Sequence, residues 1–170
     1  MINAPNNLAL SSLELLQNAL DAVKSLRTRI VWLVGRPDTG KTKLMQELAR
    51  SRPSCEYLNV NRELAKVLMD RPPTSRPFNA PAQLSGLFPT RPTGAWLADN
   101  IELALSRELQ MAVVERFKAI GQHTSLVVAW CGEYKNNRLI YGTPEHADYR
   151  EFTLDAAVVI DLNNINIQGN

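Results

Sequence analysis

The sequence predicts an α/β protein, in which helices cover a mostly parallel β-sheet, and three observations support this fold class. Short runs of apolar and β-branched residues alternate along the chain with segments of helical periodicity. Polar and apolar residues alternate little within these runs, which is typical of strands buried on both faces. The 170 residues suit a single domain over 1–170, because two domains would each need a core of their own.

The N-terminal part of the chain is predicted to form a helix, a strand and a second helix. Ser11 and Glu14 have the spacing of a capping box, and leucines follow at helical spacing, so we expect a helix over residues 11–26. The compact run Ile30–Val34 predicts the first buried strand, because it is rich in β-branched residues and almost free of alternation. A helix over Thr42–Arg50 is expected after it.

The rest of the chain continues the alternation of strands and helices. The predicted strands are Glu56–Val60, Ala95–Ala98, Ser125–Cys131 and Ala156–Leu162. The predicted helices are Arg62–Met69 and Ile101–Ile120. The segments expected to form a hairpin or short strands are Tyr134–Tyr141 and Tyr149–Leu154. The polar C-terminal tail, residues 163–170, is expected to be frayed.

The region 71–94 interrupts this pattern, because six of the ten prolines fall within it. We expect a long irregular surface excursion here, with one short helix near Ala80–Leu87. Arg71, Arg76 and Arg91 have no acidic residue between them, so the segment is predicted to carry a positive strip. The sequence leaves open whether the excursion is a passive loop or contacts another chain or DNA.

Charge and composition exclude several classes of protein. The 19 basic and 17 acidic residues give a net charge of +2, which excludes a strongly basic nucleic-acid binder but not a local basic patch. No apolar run is long enough to span a bilayer, and no secretory signal is visible at the N-terminus. Cys55 and Cys131 lie far apart in apolar stretches and are expected to be buried, reduced thiols. A cytoplasmic location is therefore expected.

The sequence between the first strand and the following helix matches the phosphate-binding pattern G-x-x-x-x-G-K-[ST]. The matching residues, which we expect to bind a nucleotide, are Gly35, Arg36, Pro37, Asp38, Thr39, Gly40, Lys41 and Thr42. Glycines let successive backbone N–H groups turn toward an anion, and the N-terminus of the following helix adds its positive end. Lys41 is expected to reach the β- and γ-phosphates, and the Thr42 hydroxyl to hold Mg²⁺. ATP, or another nucleoside triphosphate, is therefore predicted to bind here with Mg²⁺.

Asp99, at the carboxyl end of a predicted strand, is the second candidate for the nucleotide site. An aspartate in this place can hold Mg²⁺ beside the phosphates of a P-loop protein. Aspartate is also a good N-cap residue, so Asp99 could instead begin the following helix. The two roles are compatible, and the phosphate loop upstream favours the metal role.

Hydrolysis requires a further group that orients or deprotonates water. Many P-loop proteins have a glutamate directly after the metal-binding aspartate, and here that position holds Asn100. Glu102 and Glu133 are the candidate catalytic residues, since each follows a predicted strand, although either could equally be a solvated surface carboxylate. The candidates for an arginine that acts from a neighbouring subunit are Arg107, Arg116, Arg138 and Arg150.

Several segments together resemble a known family. The segments are GRPDTGKT, EYLNVNRELAKVL, DNIE, VVAWCGEY and RLIYGTPEHADYREF. In this combination the chain, from about Ile30 to Leu162, resembles the BrxF family, the small P-loop proteins of type 3 bacteriophage-exclusion (BREX) systems. The resemblance implies nucleotide binding at Gly35–Thr42 and an accessory role in antiphage defence. It also implies work alongside the larger ATPase, methyltransferase and phosphatase-like components of such a system.

The leading hypothesis is therefore a Mg–ATP-binding P-loop component of a defence complex, a possible ATPase that is weak in isolation. We expect a three-layer P-loop NTPase-type domain with the sheet order 5-1-4-3-2 and no helical lid domain, because the chain ends soon after the fifth strand. Homo- or hetero-oligomers, and contact with DNA directly or through partners, are expected. The alternatives are a nucleotide-gated assembly module with little or no hydrolysis and, less favoured, a small-molecule P-loop kinase.

Overall fold

The computed structural model describes residues 10–165, which form six α-helices and two β-sheets. The strands are, in chain order, β1 (Ile30–Gly35), β2 (Cys55–Asn59), β3 (Ala95–Asp99), β4 (Leu126–Cys131), β5 (Glu133–Lys135), β6 (Arg138–Tyr141), β7 (Arg150–Thr153) and β8 (Val158–Asp161). The larger sheet is parallel throughout and has the order β2-β3-β4-β1-β8. Because β8 is the fifth strand of the sequence prediction, the predicted order 5-1-4-3-2 is confirmed. Residues 166–170 of the predicted tail lie outside the described part of the chain.

Helices cover both faces of the larger sheet. In chain order they are α1 (Ser12–Val23), α2 (Lys41–Ser51), α3 (Val60–Met69), α4 (Arg76–Gly86), α5 (Glu102–Leu105) and α6 (Val113–Gly121). Side chains alternate between the two faces of a strand. Val31 and Leu33 of β1 therefore pack with α1 and α2, whereas Ile30, Trp32 and Val34 pack with α3 to α6. The predicted three-layer α/β fold is confirmed, and no helical lid follows β8 within residues 10–165.

The first helix begins with the predicted capping box. The Ser11 hydroxyl accepts a hydrogen bond from the Glu14 N–H at 3.2 Å, and the Glu14 carboxylate accepts from the Ser11 N–H at 2.8 Å. The helix ends at Val23, three residues before the predicted end. Between Leu10 and Ile165, no helix is long and apolar enough to cross a membrane.

The short helix predicted near Ala80–Leu87 is confirmed, but it begins four residues earlier, at Arg76, so the irregular excursion predicted over residues 71–94 is wrong in most of its first half. A short 3₁₀ turn over Pro73–Ser75 leads into α4, which contains Pro81. A proline inside a helix removes one backbone hydrogen bond, but Ala80 and Leu84 of α4 are completely buried in the core. Their burial explains why the helix forms although the prolines predict a loop.

The predicted positive strip is also interrupted. The Arg91 guanidinium forms an ion pair with Glu56 and lies over the ring of Trp96, 5.0 Å from its centroid. This pairing compensates the charge of Arg91, whereas Arg71 lies on the exposed connection between α3 and α4.

The long helix predicted over Ile101–Ile120 is wrong as well. The chain forms the short helix α5, a 3₁₀ turn over Arg107–Leu109 and then α6. Gln110, in the left-handed conformation with φ of 49°, breaks the helix, and both Leu109 and Met111 are buried on its two sides. A continuous helix would place these two side chains about 200° apart, so only one of them could face the core.

The smaller sheet confirms the predicted hairpin and extends it. Strands β5, β6 and β7 pair antiparallel in that order and lie in the chain between β4 and β8. Trp130 of β4 anchors this sheet, because its indole N–H donates to the Ile140 carbonyl at 2.9 Å and its ring packs edge-on against Phe152. Trp130 is fully buried, so the small sheet is held firmly at the carboxyl end of β4.

Candidate nucleotide-binding site

The phosphate loop joins β1 to α2 as a tight turn that requires both of its glycines. The Thr39 hydroxyl donates to the Arg36 carbonyl at 2.8 Å, and a Cβ atom on Gly35 would lie only 2.2 Å from that hydroxyl oxygen. Gly40 precedes α2 with a φ of 87°, in the left-handed region that favours glycine. The backbone of the loop thus explains the two glycines of the predicted motif.

Lys41 lies against this loop. Its ammonium donates to the carbonyl oxygens of Gly35 at 2.7 Å and of Arg36 at 2.8 Å. An ammonium has three N–H donors, so one of them can still meet an anion in this conformation. Lys41 is also the first residue of α2, where backbone N–H groups have no partner within the helix. A cation and unpaired N–H groups are therefore combined at one helix N-terminus, which suits phosphate groups.

Thr42 and Asp99 meet beside the phosphate loop. The Thr42 hydroxyl donates to Asp99 Oδ2 at 2.6 Å, although the two residues are 57 positions apart in the chain. Asp99 is buried at the end of β3, and its Oδ1 accepts from the Asn100 N–H at 2.9 Å. The following helix begins at Glu102 with Ile101 in the cap position and no side-chain cap, so the helix-cap interpretation of Asp99 is wrong.

Tyr57 is part of the site and was not found by sequence reasoning. Its hydroxyl donates to the same Asp99 Oδ2 atom at 2.8 Å, from the neighbouring strand β2. Burial, followed by the hydrogen bond to the Asp99 carboxylate, raises the pKa of Tyr57 well above its ordinary value. The phenol therefore stays protonated and donates at physiological pH. In the sequence, only the place of Tyr57 near the carboxyl end of a strand paired to β3 could have indicated its contact with Asp99.

We expect Tyr57→Phe to weaken the effect of Mg²⁺ on ATP binding by about 10-fold, because residues that orient a metal-binding carboxylate typically have effects of this size. The measurement is calorimetric ATP affinity as a function of Mg²⁺ concentration. Tyr134→Phe is the control, since its hydroxyl contacts Asn137 rather than Asp99. A Mg²⁺ dependence equal to that of the wild type would contradict the positioning role.

Asn61 holds the first candidate catalytic residue. Its side-chain N–H donates to Glu102 Oε2 at 3.0 Å, and its side-chain oxygen accepts from the Leu103 N–H at 2.8 Å. Asn100 has a φ of 52°, and its carbonyl accepts from the Asn61 N–H at 2.8 Å. The left-handed conformation of Asn100 and the contacts of Asn61 therefore fix the start of α5 and the position of Glu102 just after Asp99.

Glu133, the second candidate, contacts the phosphate loop directly. Its carboxylate accepts two hydrogen bonds from the Arg36 guanidinium, one of them from Nε at 3.1 Å. Asn163 reinforces this region, because it accepts from the Arg36 N–H at 2.8 Å and donates to the Gly132 carbonyl at 3.0 Å. The predicted frayed tail is thus wrong at Asn163, which ties the end of β8 to the loop.

The candidate arginines fall into different settings. Arg150 is engaged inside the fold, since its guanidinium donates to the Met111 carbonyl at 2.8 Å. Arg138 forms an ion pair with Glu151 on the small sheet. Arg107 is exposed, and the side chain of Arg116 is partly exposed on α6. The structure therefore leaves Arg107 and Arg116 as the arginines better able to reach another subunit.

The residues present fit Mg²⁺ with a triphosphate. Among residues 10–165, no group of three or more histidine, cysteine, aspartate or glutamate side chains is placed to hold a metal. As ligands for Mg²⁺, the protein would supply the Asp99 carboxylate and the Thr42 hydroxyl. Mg²⁺ prefers oxygen ligands of this kind and usually takes its remaining ligands from phosphates and water.

Comparison with known proteins supports the same class of domain. Residues 5–80, which include the phosphate loop, β2 and α3, match the family model described as Bacterial TniB protein. No curated protein and no solved structure matches the chain. The TniB family is P-loop NTPase-like, and the match covers less than half of the chain, so it is a similarity to that family. The phosphate loop, the parallel sheet and this similarity together show that the chain carries a P-loop NTPase-like nucleotide-binding domain.

Proposed function

We propose that this chain binds Mg–ATP at Gly35–Thr42, hydrolyses it slowly in isolation, and serves as the P-loop component of an antiphage defence complex. The observation that carries the proposal is the 2.6 Å contact between the Thr42 hydroxyl and the Asp99 carboxylate. It brings the two expected Mg²⁺ ligands together next to the Lys41 ammonium. The resemblance to the BrxF family supports the place in defence and the need for partner proteins.

The residues of the site have distinct roles in this proposal. Lys41 would bind the β- and γ-phosphates, while the N–H groups at the start of α2 bind phosphate oxygens. Thr42 and Asp99 would hold Mg²⁺, which neutralises charge that develops on the phosphates. The Tyr57 hydroxyl would keep the Asp99 carboxylate oriented through its hydrogen bond to Oδ2.

Glu102 is the stronger candidate for orienting water. It lies three residues after Asp99 and is positioned by Asn61. Glu133 is engaged by the Arg36 guanidinium, so it would first have to leave an ion pair. Glu102 would therefore act as the general base or water-orienting residue, and Glu133 would control the position of Arg36.

The alternative is a nucleotide-gated module that hydrolyses little or nothing. Asn100 favours it, because an amide at this position does not take a proton from water. Under this alternative, nucleotide binding would still order the loop and recruit partner proteins or DNA. Comparing ATP with a non-hydrolysable analogue in partner binding separates the two, since a gated module responds equally to both.

Thr42 offers a direct experiment on the proposed metal site. We expect Thr42→Ala to lose most of the gain in ATP affinity that Mg²⁺ gives, whereas Thr42→Ser keeps it because the hydroxyl remains. Calorimetric titrations with ATP in Mg²⁺ or in EDTA measure this gain. Equal gains in Thr42→Ala and the wild type would refute the proposed role of the hydroxyl.

A further inference from the structure

A second cavity lies beside the phosphate loop, separate from the space next to α2. Its volume is about 540 Å³, and it is bounded by the start of the loop, the end of β4 and the connection between β6 and β7. The groove on the α2 side, about 420 Å³, is lined by Asp38, Gly40, Thr42 and their neighbours. The two spaces share no lining residue, but Arg36 and Pro37 of the phosphate loop line the larger cavity, so it adjoins the proposed nucleotide site.

The inner end of the cavity borders the proposed reaction centre. Cys131 lines it and lies opposite Gly35 where β4 pairs with β1. The Gly35 carbonyl accepts a hydrogen bond from the Lys41 ammonium at 2.7 Å. A ligand in the cavity would therefore lie next to the phosphate end of the nucleotide site.

The lining of the cavity suits a flat ring. Tyr141, His146 and Tyr149 all line it, and a volume of this size is typical of small-ligand pockets. The Tyr141 ring packs edge-on against Trp130, which holds it at the wall of the cavity. His146 Nδ1 accepts from the Asp148 N–H at 3.1 Å, which leaves the other ring nitrogen available.

The rim of the cavity suits an anionic group. Arg36 and Glu133 both line it, and their ion pair is largely exposed, with 65% and 45% of the side-chain surfaces accessible. Exposed ion pairs are weak, so a phosphate can compete with Glu133 for the guanidinium. Arginine is well suited to this exchange because its planar group binds phosphate through two parallel hydrogen bonds.

We propose that this cavity binds a nucleoside 5′-phosphate, with the base among Tyr141, His146 and Tyr149 and the phosphate on Arg36. The occupant is either a free mononucleotide or the 5′-terminal nucleotide of a DNA strand, since both present this chemistry. The cavity adjoins the Mg–ATP site and shares Arg36 and Pro37 of the phosphate loop with it, and its closeness to the reaction centre rests on the proposed function.

The test is calorimetry with the full chain and four deoxynucleoside 5′-monophosphates, beside a 5′-phosphorylated tetranucleotide and its unphosphorylated form. We expect binding by at least one monophosphate, or tighter binding of the phosphorylated tetranucleotide than of the unphosphorylated one. Tighter binding of a monophosphate than of the phosphorylated tetranucleotide identifies a free mononucleotide as the occupant. Tighter binding of the phosphorylated tetranucleotide identifies a strand end. Failure of all four monophosphates and of the phosphorylated tetranucleotide to bind at 1 mM, on the order of the weakest specific affinities, would overturn the proposal.

Two variants locate the binding. Tyr141→Leu and His146→Ala should each weaken it by about 5- to 150-fold, the range expected for loss of a ring that stacks on a base. His146 lies in an exposed loop, so its variant keeps the test valid if Tyr141→Leu fails to fold. Phe78→Leu, which changes an aromatic residue that is 85% exposed on α4, is the control. Unchanged affinity in the His146 variant would place the ligand elsewhere and refute the site.

Lys41→Ala distinguishes this inference from the proposed function. The variant should lose ATP affinity while it keeps the binding of the monophosphate or the strand end. Equal loss of both ligands would show that monophosphates merely occupy the phosphate loop, and would refute the second site. Loss of neither would refute the ATP site but leave the second site supported.

Discussion

Dilute protein should hydrolyse ATP about 10³- to 10⁵-fold more slowly than an assembly in which a neighbouring subunit supplies an arginine to the γ-phosphate. Two of the four candidate arginines are engaged within their own chain, Arg150 with the Met111 carbonyl and Arg138 with Glu151. Neither is then available to the phosphates of its own site. Asn100 also stands where many P-loop proteins have a glutamate, so neither the glutamate nor the arginine is in its usual adjacent place in the chain.

The measurement is phosphate release over a protein concentration series, with light scattering on the same samples with and without ATP. The rate per subunit should rise as ATP-dependent oligomers form, or on addition of partner proteins. Arg107→Ala and Arg116→Ala show whether the arginine comes from a second copy, because the responsible variant should lose the rise. If the protein stays monomeric and releases phosphate fast at every concentration, a single chain holds a complete active site and the prediction is wrong.

Lys41→Ala should lower the affinity for Mg–ATP by roughly 10- to 150-fold, equivalent to about 1.5–3 kcal/mol for a hydrogen bond to a charged group. The ammonium lies between the loop carbonyls of Gly35 and Arg36, where it can also meet phosphate oxygens. Both carbonyls keep another donor without Lys41, Gly35 the Gly132 N–H and Arg36 the Thr39 hydroxyl, so the fold should survive the change.

Calorimetry of Mg–ATP binding measures this loss. Lys66→Ala is the matched control, because Lys66 is an exposed lysine on α3 that pairs with Glu63, away from the phosphate loop. The control should bind as the wild type does. An ATP affinity in Lys41→Ala equal to that of Lys66→Ala would contradict the phosphate-binding role of Lys41.

Local patterns predicted the phosphate loop and the individual strands, because both depend on residues that are close in sequence, whereas the sheet order was predicted from likeness to the strand arrangement of AAA+-related P-loop proteins. Gly35, Gly40 and Lys41 are recognised by their spacing, and buried strands by their apolar runs. The contacts that complete the site are different, since they join residues from separate elements. Tyr57 meets Asp99 across 42 positions and Asn163 meets Arg36 across 127, and neither pair has a local signature.

The errors in the prediction have a common physical cause. Prolines predicted an irregular segment over residues 71–94 with only one short helix near Ala80–Leu87, yet the burial of Ala80 and Leu84 stabilises the longer helix α4 there. Helical periodicity predicted one helix over Ile101–Ile120, yet the burial of Met111 requires the break at Gln110. In both segments, packing against the core outweighs the local preference of the chain.

Asp99 is the residue on which the proposed Mg–ATP site depends most directly. Its carboxylate is contacted by Thr42, Tyr57 and the Asn100 N–H, and we propose it as the protein's charged ligand for Mg²⁺. The measurement is the ratio of ATP affinities in Mg²⁺ and in EDTA, for wild type and Asp99→Asn, at a temperature where both are folded. We expect Mg²⁺ to strengthen ATP binding in the wild type and to have little effect in Asp99→Asn. An equal gain from Mg²⁺ in the two proteins would contradict the proposed role of Asp99.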